Sequence, residues 1–416
     1  MTTGRVRAAA ARVDRATPAS RERALDGLRA LAIAGVVLGH WLVTALVLWG
    51  DGGLRVSSPL KHLPGLAPAS WALQTLALFF LVGGYVAARG LRRARERAAG
   101  TSGGSGAADA EWLRGRLLRL GRPVVLALAA WGVLAAGLAA AGTPAATVRT
   151  GLLLALQPLW FIAVYLAVTT LTRWAVAADA RFGAAAVAAP LAVAAACDAA
   201  RFGPWGGHVP DAWGYAAVLP VWQAAYQAGV AWESGRLGRR GAGVLLAAGA
   251  VGLAVLPQLG YPVSVVGVPG AERSNSAPPT LMLPALGFVQ IGAAVLLRGP
   301  VERLLRHPVP WAATVLVNVG ALTVFCWHLT AVVLVSAAGA AVGGVLPGLT
   351  DTPDGPGWLL ARACWAGAFA LVLAAFWAAA RRFEGPWRGT VLGPRPARAV
   401  VAACAATALA IAAALL

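Results

Sequence analysis

Two side chains interrupt the first long apolar run of the chain, "LRALAIAGVVLGHWL" at 28–42: an arginine, Arg29, and a histidine, His40. An α-helix turns 100° per residue, so eleven residues close about three turns. Both side chains then project from one face, about 16 Å apart along the axis. Ionisable groups inside an apolar span are costly, rarely face lipid, and mark functional cavities. An imidazole shielded from water stays neutral and takes a proton from a hydroxyl at ambient pH, a contribution of about 10²–10⁴ in rate. It is also able to accept an acyl group directly. The competing reading of the same residues is structural: a histidine hydrogen-bonded within a helix bundle, and an arginine anchoring a helix start at the membrane surface.

The composition sets those residues in lipid. Of 416 residues 59% are hydrophobic and only 12% charged, a balance outside that of soluble globular proteins. A helix needs about 20 apolar residues to cross a hydrocarbon core. Runs near that length occur at 28–49, 69–91, 122–141, 150–172, 184–200, 213–233, 242–259, 280–297, 312–341, 357–380 and 397–416. They predict an all-α integral membrane protein, a bundle of about ten or eleven transmembrane helices in a cell membrane.

The net charge of +19 lies in short runs between apolar segments and not on a soluble domain, which argues against nucleic acid as a partner. With the N-terminus in the cytoplasm, 29 of the 35 basic residues fall on the inner side, as the positive-inside rule requires. The remaining Arg55, Lys61, Arg149, Arg201, Arg273 and Arg362 fall outward. This divides the chain into a basic cytoplasmic tail, 1–24, and a transmembrane domain, 25–416. The domain has an inner basic loop at 89–122 and an outer loop at 258–279. The inner loop holds a Gly/Ser-rich tether, and Pro123 is expected where the next helix begins. The first apolar run is long enough to span and to remain as a helix, not as a cleaved signal. Cys197, Cys326, Cys364 and Cys404 are scattered, with no CxxC spacing, and read as packing residues. HExxH and Walker-type motifs do not occur, the Gly/Ser-rich tether is no nucleophile elbow, and neither a metal nor a bound cofactor is expected.

"RALDGLRALAIAGVVLGH" at 23–40 resembles the opening helix of the acyltransferase 3 family of multi-spanning membrane O-acyltransferases, with its Arg, ten intervening residues and His. The resemblance continues through "LALFFLVGGYVAARGLRR" at 76–93, "WLRGRLLRLGRP" at 112–123, "PLWFIAVYLAV" at 158–168 and "FCWHLTAVVL" at 325–334. It implies acyl transfer from cytoplasmic acyl-CoA, a co-substrate, to a hydroxyl or amine of a carbohydrate or glycosylated acceptor. By the match, His40 is the catalytic residue, as base or acyl acceptor, and Arg29, Arg114 and Arg116 serve the donor. Guanidinium forks suit the phosphates of CoA. A solvated basic loop is the other reading of Arg114 and Arg116.

His328 lies beside Trp327 in an apolar run, placed either to line the pocket or to satisfy a buried hydrogen bond. Trp160 and Tyr165 are candidates for the pocket wall or for interfacial anchoring. Asp26, three residues before Arg29, either holds that guanidinium or caps the helix start. The loop residues Arg273, Ser274, Asn275 and Ser276 offer polar groups to a sugar or are plain surface. Acidic residues such as Asp14, Asp51, Asp109, Asp211, Asp351 and Glu384 are expected in tails and loops. That leaves little to drive ion-coupled transport, so a secondary transporter or flippase of an envelope precursor is the alternative function and a membrane scaffold the third.

Overall fold

The computed structural model describes residues 3–99, 104–203 and 208–384. The helix expected at 397–416, with Cys404, lies outside the described residues. The longer helices run in the order α1 (Thr3–Arg15), α2 (Arg23–Val43), α3 (Leu76–Ala98), α4 (Gly104–Ala140), α5 (Ala145–Leu156), α6 (Leu159–Thr170), α7 (Thr172–Phe182) and α8 (Ala188–Phe202). There follow α9 (Val218–Glu233), α10 (Arg239–Val255), α11 (Met282–Leu296), α12 (Arg298–Leu304), α13 (Pro308–Val319), α14 (Ala321–Gly343) and α15 (Pro356–Glu384). Between α2 and α3 lies an antiparallel hairpin, β1 (Ala45–Leu48) against β2 (Leu54–Ser57), in register from Ala45 opposite Ser57 to Leu48 opposite Leu54. In its turn, the Gly53 backbone N–H and the Arg55 guanidinium hold the Asp51 carboxyl below the usual carboxylate range.

Each of the ten apolar runs expected within these residues is mostly helical. Eight helices among the described residues are long and apolar enough to span, and α11 with α12, bent by 61°, makes a ninth. α9, with 16 residues, is shorter than a span. Three local expectations change. The first helix stops at Val43, because the chain turns extended into β1. The run at 312–341 is two helices: Gly320 breaks it, and a Cβ there would overlap the indole of Trp377 on α15. The inner basic loop is mostly helix, as α3 runs through Arg97 and α4 begins at Gly104; Pro123 sits inside α4 and not at its start. Asp14, Asp109 and Glu384, expected in tails or loops, are helical as well.

Lipid offers no hydrophobic drive for helix pairing, so close packing does the work. Glycines let α3 and α9 touch backbone to backbone: a Cβ on Gly84 would overlap the Tyr226 carbonyl, and one on Gly229 the Leu81 carbonyl. Gly249 and Gly292 do the same between α10 and α11.

The two ends of the bundle differ in charge. At one end Glu22 joins Arg89 and Arg298, Arg92 meets Glu233, Arg95 grips Asp109 with two bonds of 2.7 Å, and Arg236 meets buried Asp179 at 2.5 Å. This is the basic end. α1 docks there along α13, tied by Arg23–Asp14 at 2.7 Å and by the Trp311 indole N–H on Thr17 at 2.7 Å. The opposite end carries the β-hairpin and the segment 258–281. That segment is held by Asn275, whose amide donates to the carbonyls of Pro262 and Ser264, and by the Leu281 N–H on Asp198 at 2.7 Å. Of the four polar residues at 273–276, Asn275 is thus a buried strut of its own loop.

Candidate active site

α2 presents Arg29 and His40 from one face. Ile33 and Val36, which share that face, are buried, whereas Leu31 and Leu38 on the other side are 55% and 45% exposed. His40 is therefore turned into the bundle, away from the lipid-facing side, and is itself half-buried. Its Nδ1 lies 2.7 Å from Nε2 of His328, which is fully buried on α14, and the two rings meet edge to edge, with centroids 4.9 Å apart and planes 21° from parallel. The second nitrogen of His328, Nδ1, is 2.8 Å from the Phe325 carbonyl oxygen one turn earlier.

The end of α2 that carries His40 is fixed from two sides. The Trp41 indole donates to the His328 carbonyl at 3.0 Å. Arg362, 1% exposed on α15, donates to the carbonyls of Trp41 at 2.7 Å, Thr44 at 2.6 Å and Gly348 at 3.3 Å. Charge at a helix C-terminus complements its dipole, and these bonds occupy carbonyls that the helix leaves open.

Arg29 lies one end away. Its Nε donates to Asn318 on α13 at 2.6 Å and its Nη2 lies 3.5 Å from Asp26. Asp26 is buried and also takes two bonds from Arg21, at 2.5 and 2.8 Å, while the Asn318 amide donates to the Asp26 carbonyl at 2.8 Å. Asp26 lies within the helix, four residues past the N-cap position of Glu22, and makes ion pairs. Arg116 on α4 and Tyr165 on α6 lie within electrostatic range of Arg29. Arg116 donates to the Tyr165 hydroxyl at 3.2 Å, and its buried Nε has no hydrogen-bond partner among the described residues. Arg114 is exposed: two residues away on a helix is 200° around the axis, so the two arginines do not share a face.

Aromatic rings connect the two groups of residues. Tyr165 stacks with Phe161 at 6.0 Å, Phe161 packs on Phe325 at 4.6 Å, and Phe325 lies 5.7 Å from the His328 ring. Phe79 adds edges to Phe161 and Tyr165 at 5.0 and 5.2 Å. Trp160 stands beside this wall, against Trp222 at 6.0 Å and Phe161 at 6.3 Å. The structure thus joins Asp26, Arg29, Arg116 and Tyr165 at one end and His40 with His328 at the other. It leaves Arg114 apart. Asn318, Arg362, Phe161 and Phe325 join the site although the motifs did not single them out. Asn318, a lone amide in an apolar run, carried a signal; Phe161 and Phe325 lie inside two of the quoted segments but are not distinguished there, because any span contains such residues.

Such an arrangement offers anion-binding guanidinium groups, an apolar wall and a polarised imidazole, in that order along the bundle. A protein-family model described as an acyltransferase domain matches residues 22–412, nearly the whole chain. No curated protein and no solved structure matches it.

Proposed function

Because the chain belongs to the acyltransferase 3 family, we propose that it transfers an acyl group from a cytoplasmic acyl-CoA to a hydroxyl or amine of a carbohydrate or glycosylated acceptor, with His40 as the base. The basic end faces the cytoplasm of a cell membrane in this reading. Arg29 and Arg116 hold the phosphates of CoA there, with exposed Arg114 adding charge at the entrance. The aromatic wall of Tyr165, Phe161 and Phe325 flanks the pantetheine arm, and the thioester comes to rest beside His40.

The reaction balances without a metal or a bound cofactor. His40 takes the proton of the acceptor hydroxyl while its oxygen attacks the thioester carbonyl. The C–S bond then breaks, and the proton passes from the imidazole to the leaving thiolate, giving an ester and free CoA. Acyl transfer through His40 itself is the other route with the same products.

The observation that carries this reading is the unbroken line of contacts from Arg116 through Tyr165, Phe161, Phe325 and His328 to His40. The buried acidic residues give transport less support: Asp26 and Asp179 are paired with arginines near the basic end, and Asp198 bonds the Leu281 N–H at the other. The test is His40→Ala in purified, lipid-reconstituted protein. Release of CoA from acyl-CoA is expected to fall by about 10²–10⁴ with the protein still folded. Turnover equal to wild type would remove His40 from the mechanism.

A further inference from the structure

We infer that His328 is a positioning residue that fixes the tautomer of His40, so that the reactive lone pair sits on His40 Nε2. This rests on the reading of His40 as the reacting imidazole. The Phe325 carbonyl fixes the direction of both hydrogen bonds. A backbone carbonyl only accepts, so His328 Nδ1, 2.8 Å from the Phe325 oxygen, must carry a hydrogen and donate it. A neutral imidazole has one N–H, which leaves His328 Nε2 as an acceptor. The nitrogen facing it at 2.7 Å, His40 Nδ1, must then be the donor. His40 consequently keeps its lone pair on Nε2.

The remaining arrangements fail on the same geometry. A hydrogen on His328 Nε2 alone would set its bare Nδ1 lone pair against the lone pairs of a carbonyl. Hydrogens on both nitrogens of His328 would bury a cation whose hydrogen-bond partners among the described residues are a neutral imidazole and a backbone carbonyl, with no carboxylate, and an unpaired buried charge is far costlier than a neutral hydrogen bond. Two ring nitrogens 2.7 Å apart also suit a shared hydrogen better than a shared metal, whose tetrahedral ligands at about 2.0–2.1 Å would stand further from each other.

The arrangement has a chemical consequence. The Nδ1–H form of the histidine ring is the less favoured one in water, so a partner at Nδ1 is what makes it the dominant form. The lock does for this site what a carboxylate does in a serine-hydrolase triad, where the wrong tautomer is costly. When Nε2 takes the acceptor proton, the Nδ1–H is already engaged, and the ring does not have to turn during the step.

The test reads the tautomer directly. Full-length protein with ¹⁵N-labelled histidine, in lipid nanodiscs at neutral pH, is expected to show His40 with Nδ1 protonated and Nε2 bare, the resonances assigned by loss in His40→Gln. A protonated Nε2 in the wild-type protein overturns the inference, with no variant needed. In kinetics, His328→Leu is expected to lower kcat on the order of 10²-fold at unchanged KM for acyl-CoA. His328→Gln, whose side-chain oxygen can accept from His40 Nδ1, is expected to keep kcat within about tenfold of wild type. Equal losses in the two variants, or none in either, overturn the inference. Full turnover in His40→Ala would instead overturn the reading beneath it, so the two failures are told apart.

Discussion

Arg362 shows how one side chain fixes another that it never touches. Its guanidinium is buried against Phe369 at 4.6 Å and Trp358 at 5.5 Å, and its hydrogen bonds go to carbonyls around the end of α2. Replacing it by Met leaves the carbonyls of Trp41 and Thr44 without this donor beside His40. Arg362→Met is therefore expected to cost about 3 kcal/mol of stability, read by chemical or thermal unfolding in a fixed lipid or detergent. Arg362→Lys should recover little of it, because one ammonium cannot reproduce a fork that spans three carbonyls. Stability unchanged in both variants would make the clamp incidental. Nothing in the local sequence "LLARACW" distinguishes this arginine from one at a surface, and it counts among the six outward basic residues. Arg29 and His40 were legible because a charged or titratable group in an apolar run has few places to go. Arg362 had the same cost, but its partners come from α2 and the segment before α15, which no local pattern shows.

The helices themselves were legible from apolar length, and their breaks and contacts less so. Gly320 looks like any of the 50 glycines, and only Trp377 from α15 shows why the chain must bend there. The segment 89–122 reads as a loop by charge, yet arginine is a good helix former and ion pairs such as Arg95–Asp109 join the ends of α3 and α4. At this scale the decisive contact is the one between α3 and α9, which sets Tyr85 and Phe80 of α3 against Trp232 and Trp222 of α9, at 5.2 and 4.9 Å. Gly84→Leu is expected to force these helices apart and lower the unfolding free energy by about 3 kcal/mol. Gly137→Leu on α4, where a Cβ meets nothing within 4 Å, is the matched control and should shift stability by less than about 0.5 kcal/mol. Side-by-side melts decide it: equal melting temperatures for the two variants would mean that the backbone approach at Gly84 is not what holds the pair.

For the molecule as a whole, the charge at its two ends ties orientation to chemistry. Lys and Arg are retained on the cytoplasmic side during insertion, and the basic end gathers Arg23, Arg89, Arg92, Arg95, Arg236 and Arg298, all six paired with Glu22, Glu233, Asp14, Asp109 or Asp179. The pairs hold the helix ends together; the guanidinium of Arg116, nearer the site, meets no such carboxylate among the described residues and donates to Tyr165. If CoA arrives from the cytoplasm, the basic end must face it, and the hairpin and the loop before α15 must face out. Single cysteines test this in intact cells, with the four native cysteines replaced by alanine. Asp354→Cys, exposed in the loop before α15, is expected to react with a membrane-impermeant maleimide, whereas Glu96→Cys, exposed near the end of α3, is expected to react only after the cells are opened. The reverse pattern would put the arginines on the side that holds no acyl-CoA. His40 would then lie on the cytoplasmic side of the aromatic wall with the guanidinium groups beyond it, and the direction of transfer argued from the ring contacts would have to be abandoned even if the imidazole pair kept its geometry.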